Sequence, residues 1–281
     1  MIVCKFGGTS VGDAEAIART ASIIAARRDR QPVVVVSALA GATNALLAIA
    51  EQAARGQLIG ALRAIEELRE RHLTQSQLLL AADQAVADDI CAELSAMFDE
   101  LAMLADALNT LGDLTPRSLD AIASLGEQIS SVLVVAAFKL RGLPATHIDA
   151  RQIVITDENY TKAEPQPDAI AEAAQRLIMP VLRDGQIPVM GGYIGSARAN
   201  GVTTTLGRGG SDYSASLVGA AMQADAIEIW TDVGGMLTAD PRVVKGSQLI
   251  ERLLEAPVVQ FFARRGFHHG LAQIEPPVLL A

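Results

Sequence analysis

Short β-prone apolar runs alternate along the chain with stretches of helical spacing. Ile2, Val3, Cys4, Lys5 and Phe6 form a β-prone run that ends in Gly7-Gly8-Thr9-Ser10, and residues 14–28 then follow helical spacing. Residues 32–37, Pro followed by four valines and Ser, have the pattern of a strand buried on both faces of a parallel sheet. A helix is predicted over about 44–55. Residues 57–111 keep apolar residues at helical spacing with no β-branched strand candidate, which predicts two or three helices outside the strand–helix alternation. Pro116 opens a long helix to about Arg141, since a missing N–H costs little in a first turn.

Beyond it, residues 145–148 and 153–155 predict short strands, 165–167 a loop and 168–183 a helix. A strand at 187–190 leads into Gly191-Gly192-Tyr193-Ile194-Gly195, and Asn200-Gly201 predicts a hairpin. Gly207 to Asp212 opens a helix to about Gln223, and 226–230 reads as a buried strand. Repeated strand, glycine turn and helix units predict an α/β fold: a three-layer αβα sandwich around a largely parallel sheet, with a helical excursion at about 57–111.

Composition narrows the function classes. Half of the 281 residues are hydrophobic and 20% are charged, enough for a large core in one or two globular units. The net charge is −9 and the only paired basic residues are Arg27-Arg28 and Arg264-Arg265, so a surface tracking nucleic-acid phosphates is not expected. Any bound anion must be held by a local site. Cys4 and Cys91 lie far apart without metal-ligand spacing, which fits a reducing cytoplasm. Strongly apolar runs such as 132–138 fall short of the roughly 18–20 residues of a membrane span, and no signal peptide is visible.

Neither a Walker A motif nor G-x-G-x-x-G is present. Gly7-Gly8 after a strand, with Lys5 two positions earlier, would let backbone N–H groups approach a polyanion that the ammonium neutralises. The competing reading is a surface lysine before an ordinary turn. Gly207, Arg208, Gly209 and Gly210 before Ser211-Asp212 combine a guanidinium with free N–H groups at a helix N-terminus. Here the alternative is a plain capped helix, with Ser211 or Asp212 as N-cap and Arg208 solvated. His268-His269 has no carboxylate or thiolate at ligand spacing, so no protein metal site is assigned.

These residues carry a family resemblance. K-F-G-G-T-S from Lys5, V-V-V-S-A-L-A-G-A-T-N from Val34, S-L-G-E ending at Glu127, G-G-Y-I-G-S from Gly191, T-T-T-L-G-R-G-G-S-D-Y from Thr203 and W-T-D-V-G-G from Trp230, with T-A-D-P-R-V-V from Thr238, resemble the aspartate kinases of the amino acid kinase superfamily. The resemblance runs to about Leu253. It implies the amino acid kinase fold over residues 1–253, with a substrate-binding N-terminal lobe and a nucleotide-binding C-terminal lobe, followed by an atypical tail at 254–281.

The activity it implies is ATP-dependent phosphorylation of the L-aspartate side chain, with Mg2+ arriving on the nucleotide; no nucleic acid or membrane partner is implied, and a homo-oligomer is compatible. Carried over by residue, Lys5 and Asp212 resemble the catalytic pair. Thr43, Glu127, Arg208, Ser211 and Asp212 resemble the aspartate site. Lys5, Gly7, Gly8, Ser10, Ser37, Thr231, Asp232, Asp240 and Arg242 resemble the nucleotide contacts. Leu237 stands where the family commonly has an aromatic residue, and Arg265 near an expected lysine. Family members usually continue into paired ACT domains that bind end-product amino acids; 281 residues leave no room for them, so a chain without lysine or threonine feedback is expected. Alternatives are a superfamily relative acting on acetylglutamate, glutamate or carbamate, or a non-catalytic binding subunit.

Overall fold

The computed structural model describes residues 1–231 and Gly246. Within them the elements run β1 (Ile2–Phe6), α1 (Ala14–Ala25), β2 (Pro32–Val36), α2 (Ala42–Ala54), α3 (Leu58–Leu79), α4 (Gln84–Leu111), α5 (Pro116–Leu140), β3 (Ala145–His147), β4 (Ile155–Thr156), α6 (Pro167–Arg183), β5 (Ile187–Gly191), β6 (Ile194–Ala197), β7 (Thr203–Thr205), α7 (Gly210–Ala221) and β8 (Ala226–Trp230). Five strands form one parallel sheet in the order β3-β5-β2-β1-β8, and β4, β6 and β7 form a small second sheet.

Side-chain alternation sorts the central strands between two helical layers. Ile2, Cys4, Phe6, Val34 and Val36 pack with Ile17, Ala21 and Ile24 of α1 and the second half of α5. Val3, Val33 and Val35 pack instead with α6 and α7. Each fully buried Val or Ile contributes roughly 1.5–3 kcal/mol of transfer free energy, so both faces of the sheet are strongly held. Lys5 shares the parity of Val3 and is directed toward α7.

The register decides where the strands stop. Phe6 pairs with both Val36 and Trp230, and Val36 pairs with Gly191. The residues that follow, Gly7, Ser37, Gly192 and Thr231, therefore leave the sheet abreast at its carboxyl edge, where open α/β sheets bind ligands.

The excursion at 57–111 consists of α3 and α4, which pack on each other, on α2 and on the first half of α5 around Leu46, Ile65, Leu94, Phe98 and Leu101. Asp13, Asp83 and Thr115 cap α1, α4 and α5 through side-chain acceptors. Helix α5 is long and apolar enough by composition to cross a bilayer, yet 89% of that window is buried in the fold. Reading short runs missed this because Ser124, Glu127, Ser130 and Ser131 interrupt it, each of them buried in the core.

Three sequence expectations shift. α1 ends at Ala25 rather than Arg28, because a 3-10 turn at Arg28–Arg30 leads to Gln31 with φ of 50° before Pro32. The strand expected at 153–155 lies at Ile155–Thr156, displaced by a 3-10 turn at Ala150–Gln152 that Asp149 caps. The helix α6 already starts at Pro167, within the expected loop. The hairpin around Asn200-Gly201 forms as β6 and β7, paired antiparallel.

Candidate active site

At the carboxyl edge, five segments close a ring around one mouth. Gly8 packs on the turn after β2, where an added Cβ would lie 3.1 Å from the Ala38 carbonyl. The Ala38 N–H donates to the Glu127 carboxylate on α5. Gly191, ending β5, sits so close to Glu127 that its Cβ would be 3.0 Å from Glu127 Cβ. A Cβ on Gly192 would be 2.8 Å from both Cα and Cβ of Ser211 on α7. Next in sequence, Asp212 pairs with Lys5 Nζ at 2.6 Å. A Cβ on Gly7 would be 3.7 Å from that same Nζ, which completes the circuit.

One competing sequence reading fails here, and the other fails in its capping half while its exposed Arg208 holds. Lys5 is 8% exposed, so it is no surface lysine. The N-cap of α7 is Gly209 with φ of 75°, and neither Ser211 nor Asp212 caps the helix. Both stand half-buried in its first turn, Asp212 engaged by Lys5. Gly207 also takes φ of 75°, so Arg208 is displayed, exposed, between two left-handed glycines.

Glu127 is the most perturbed carboxylate of the ring. It is 3% exposed, and Oε2 has no hydrogen-bond partner among the described residues. Burial pushes its carboxyl up to about 8, opposed only partly by the backbone N–H of Ala38 and its own. An uncompensated buried carboxylate of this kind calls for a cationic ligand.

The residues expected to meet phosphates stand in the turns that follow β1, β2 and β8. Trp230, which ends β8, accepts from the Gly7 N–H at 3.0 Å and from the Ser10 hydroxyl at 3.3 Å through its carbonyl. Ser37 N–H donates to the Phe6 carbonyl at 3.0 Å, and the Ser37 carbonyl accepts from Ser130 at 2.8 Å. Thr43 lies half-buried in the first turn of α2, just after the turn that carries Ala38. Thr231 follows Trp230, half-buried. Asp232, Asp240 and Arg242, like Leu237, Arg265, the His268-His269 pair and the tail at 254–281, lie outside the described residues.

Sequence reasoning had no role for three residues that the structure brings to this mouth. Gly191 and Gly192 allow α5 and α7 to approach β5. Tyr193, at φ of 66°, is held by the Ser214 hydroxyl and by Leu206 N–H, and its phenol hydrogen-bonds the Thr205 side chain. The run of glycines at 191–195 was the available signal.

Comparison with known proteins follows the same lines. Residues 1–260 match the model of the amino acid kinase family. The chain is 35% identical over 270 residues to the lysine-sensitive aspartokinase 3 of Escherichia coli, covering 95% of this chain and 57% of that protein. It is 36% identical over 253 residues to the aspartokinase of Chlamydia trachomatis, covering 90% and 53%. The crystal structure of E. coli aspartokinase III in complex with aspartate and ADP superposes with a TM-score of 0.78 at 36% identity, over 89% of this chain and 53% of the other. The chain thus spans about half the length of the relatives it matches. The family match along nearly the whole sequence, on the same parallel sheet and glycine turns, shows that the chain belongs to the amino acid kinase family.

Proposed function

We propose that this chain catalyses transfer of the γ-phosphoryl group of ATP to the side-chain carboxylate of L-aspartate, giving 4-phospho-L-aspartate and ADP, the entry to lysine, threonine and methionine synthesis in the cytoplasm. The observation that carries the reading is the ring itself: a buried lysine paired with Asp212, and Glu127 left without a cation, around a single mouth. Its relatives are named aspartokinases, and one is a complex with aspartate and ADP.

The chemistry asks little acid–base help. A side-chain carboxylate with a reference pKa near ~3.9 is ionised at neutral pH and attacks the γ-phosphorus directly; the new O–P bond forms as the bond to the ADP oxygen breaks, with no proton to move. What remains is positioning and neutralisation of charge. Lys5, with the Gly8 N–H and the Ser37 hydroxyl, answers the phosphates, while Gly7 and Ser10, tied to the Trp230 carbonyl, shape the turn that carries them. Arg208 grips the α-carboxylate with a fork of donors, Glu127 and Asp212 answer the α-ammonium, and Thr43 and Ser211 supply hydroxyls. Thr231, Asp232, Asp240 and Arg242 would serve the nucleotide. Mg2+ suits this site as a companion of the phosphates, since it keeps most of its waters and takes phosphate oxygens.

The test is ADP release with a panel of acceptors. L-Aspartate should stimulate it, and glutamate, N-acetylglutamate and carbamate should not, because fixed anchors at both α-groups reject a chain one methylene longer. Equal turnover with glutamate contradicts the assignment, and binding without turnover marks a non-catalytic subunit.

A further inference from the structure

Asp120 lies two turns before Glu127 on α5, outside the mouth, and is 1% exposed. Its Oδ2 accepts from the Thr161 N–H at 2.8 Å and from the Thr205 N–H at 3.0 Å, and its Oδ1 accepts the Thr205 hydroxyl at 2.7 Å. Each partner leads to the loop at 207–212. Thr205 ends β7, two residues before Gly207, and its carbonyl takes the Ala163 N–H at 2.9 Å. Thr161 is a β-branched residue at φ of 69°, a conformation such residues reach only when their surroundings impose it. The Thr161 carbonyl is the nearest atom to the open side of Gly207, 3.1 Å from where a Cβ would stand. Tyr193 closes the network from the mouth side through Thr205, and a Cβ on Gly210 would be 2.7 Å from Cδ2 of its ring.

We infer that Asp120 is a positioning residue that fixes the glycine loop bearing Arg208, Ser211 and Asp212, by clamping Thr205 on the strand side and Thr161 beneath Gly207. One rigid helix then sets both halves of the aspartate site, with Glu127 in contact and Asp120 acting through the loop. The inference deepens the proposed function and rests on it for the substrate.

Three variants of the full chain test it: Asp120→Ala, Asp120→Asn and Thr205→Val. Asparagine can accept both backbone N–H groups through its oxygen while its amide donates to the Thr205 hydroxyl, so it should rescue. The first readout is limited trypsin cleavage after Arg208, identified by fragment mass, which needs no activity. Asp120→Ala should speed this cut by roughly tenfold or more, since two buried donors lose their acceptor and the loop opens. Thr205→Val should speed it about threefold, and Asp120→Asn should stay within about twofold of wild type. The second readout is kinetic: Asp120→Ala should raise the aspartate KM about tenfold with the ATP KM unchanged. Wild-type cleavage after Arg208 in both Asp120→Ala and Thr205→Val overturns the inference. So does acceleration spread evenly over all Lys and Arg bonds, the mark of global unfolding. A wild-type chain without aspartate turnover would sink the proposed function instead, and the cleavage pattern would still decide the role of Asp120.

Discussion

Glu127 shows how burial makes one residue both costly and selective. With its carboxyl pushed up to about 8 against an ordinary 4.5, the free protein holds it protonated at neutral pH. A folded-state pKa raised above the unfolded one means that the native state keeps a proton the unfolded chain has lost. The free protein should therefore lose stability as pH rises from about 4.5 to about 8 and level off above. Glu127→Gln should remove that slope and melt higher than wild type near pH 8, by about 2–4 °C for each kcal/mol recovered, as thermal melts across pH will report. A wild-type slope retained in the variant would show that Glu127 is ionised in the free protein. Lys5 belongs to the other class of effect. Lys5→Ala should lower kcat by on the order of 10²-fold through lost neutralisation of the transferring phosphoryl group, whereas Glu127→Ala should also raise the aspartate KM; steady-state kinetics on variants shown folded by circular dichroism separate the two.

At the scale of elements, close approach matters more than any single contact. Gly192 lets the end of β5 meet α7 at a distance that a methyl group would not permit, and Gly191 lets α5 come so near that a methyl group would be tight. Gly192→Ala should push α7 from β5 and carry Ser211 and Asp212 with it. A stability loss of about 1–3 kcal/mol, measured in urea, is expected together with a raised aspartate KM. Unchanged stability and KM would show that α7 is not seated by this glycine. The strands and most helices were legible in the sequence because periodicity is a local signal: the parity of Ile2, Cys4 and Phe6 against Val3 and Lys5 is written in five residues. Asp120 was not legible. An acid a few residues after Pro116 looks like ordinary complement to a helix dipole, and only the distant Thr161 and Thr205 make it a clamp. The strand shift to Ile155–Thr156 has a similar cause, since Asp149 caps a turn that apolar patterning does not report.

On the scale of the whole molecule, the parallel sheet brings segments from residue 5 to residue 231 abreast at one edge, and the α3–α4 excursion thickens the layer behind Glu127. The motifs that resembled a family were recognisable one by one; their closure into a ring was not, because it depends on strand order β3-β5-β2-β1-β8, which no local pattern states. The central claim is that this ring makes an acyl phosphate on aspartate. It is tested most directly by incubating the full chain with Mg-ATP, L-aspartate and hydroxylamine, and measuring the trapped hydroxamate. Aspartyl hydroxamate should accumulate in step with ADP, and fall by on the order of 10²-fold in Lys5→Ala. ADP release without hydroxamate, or hydroxamate formed equally well by Lys5→Ala, would contradict the account.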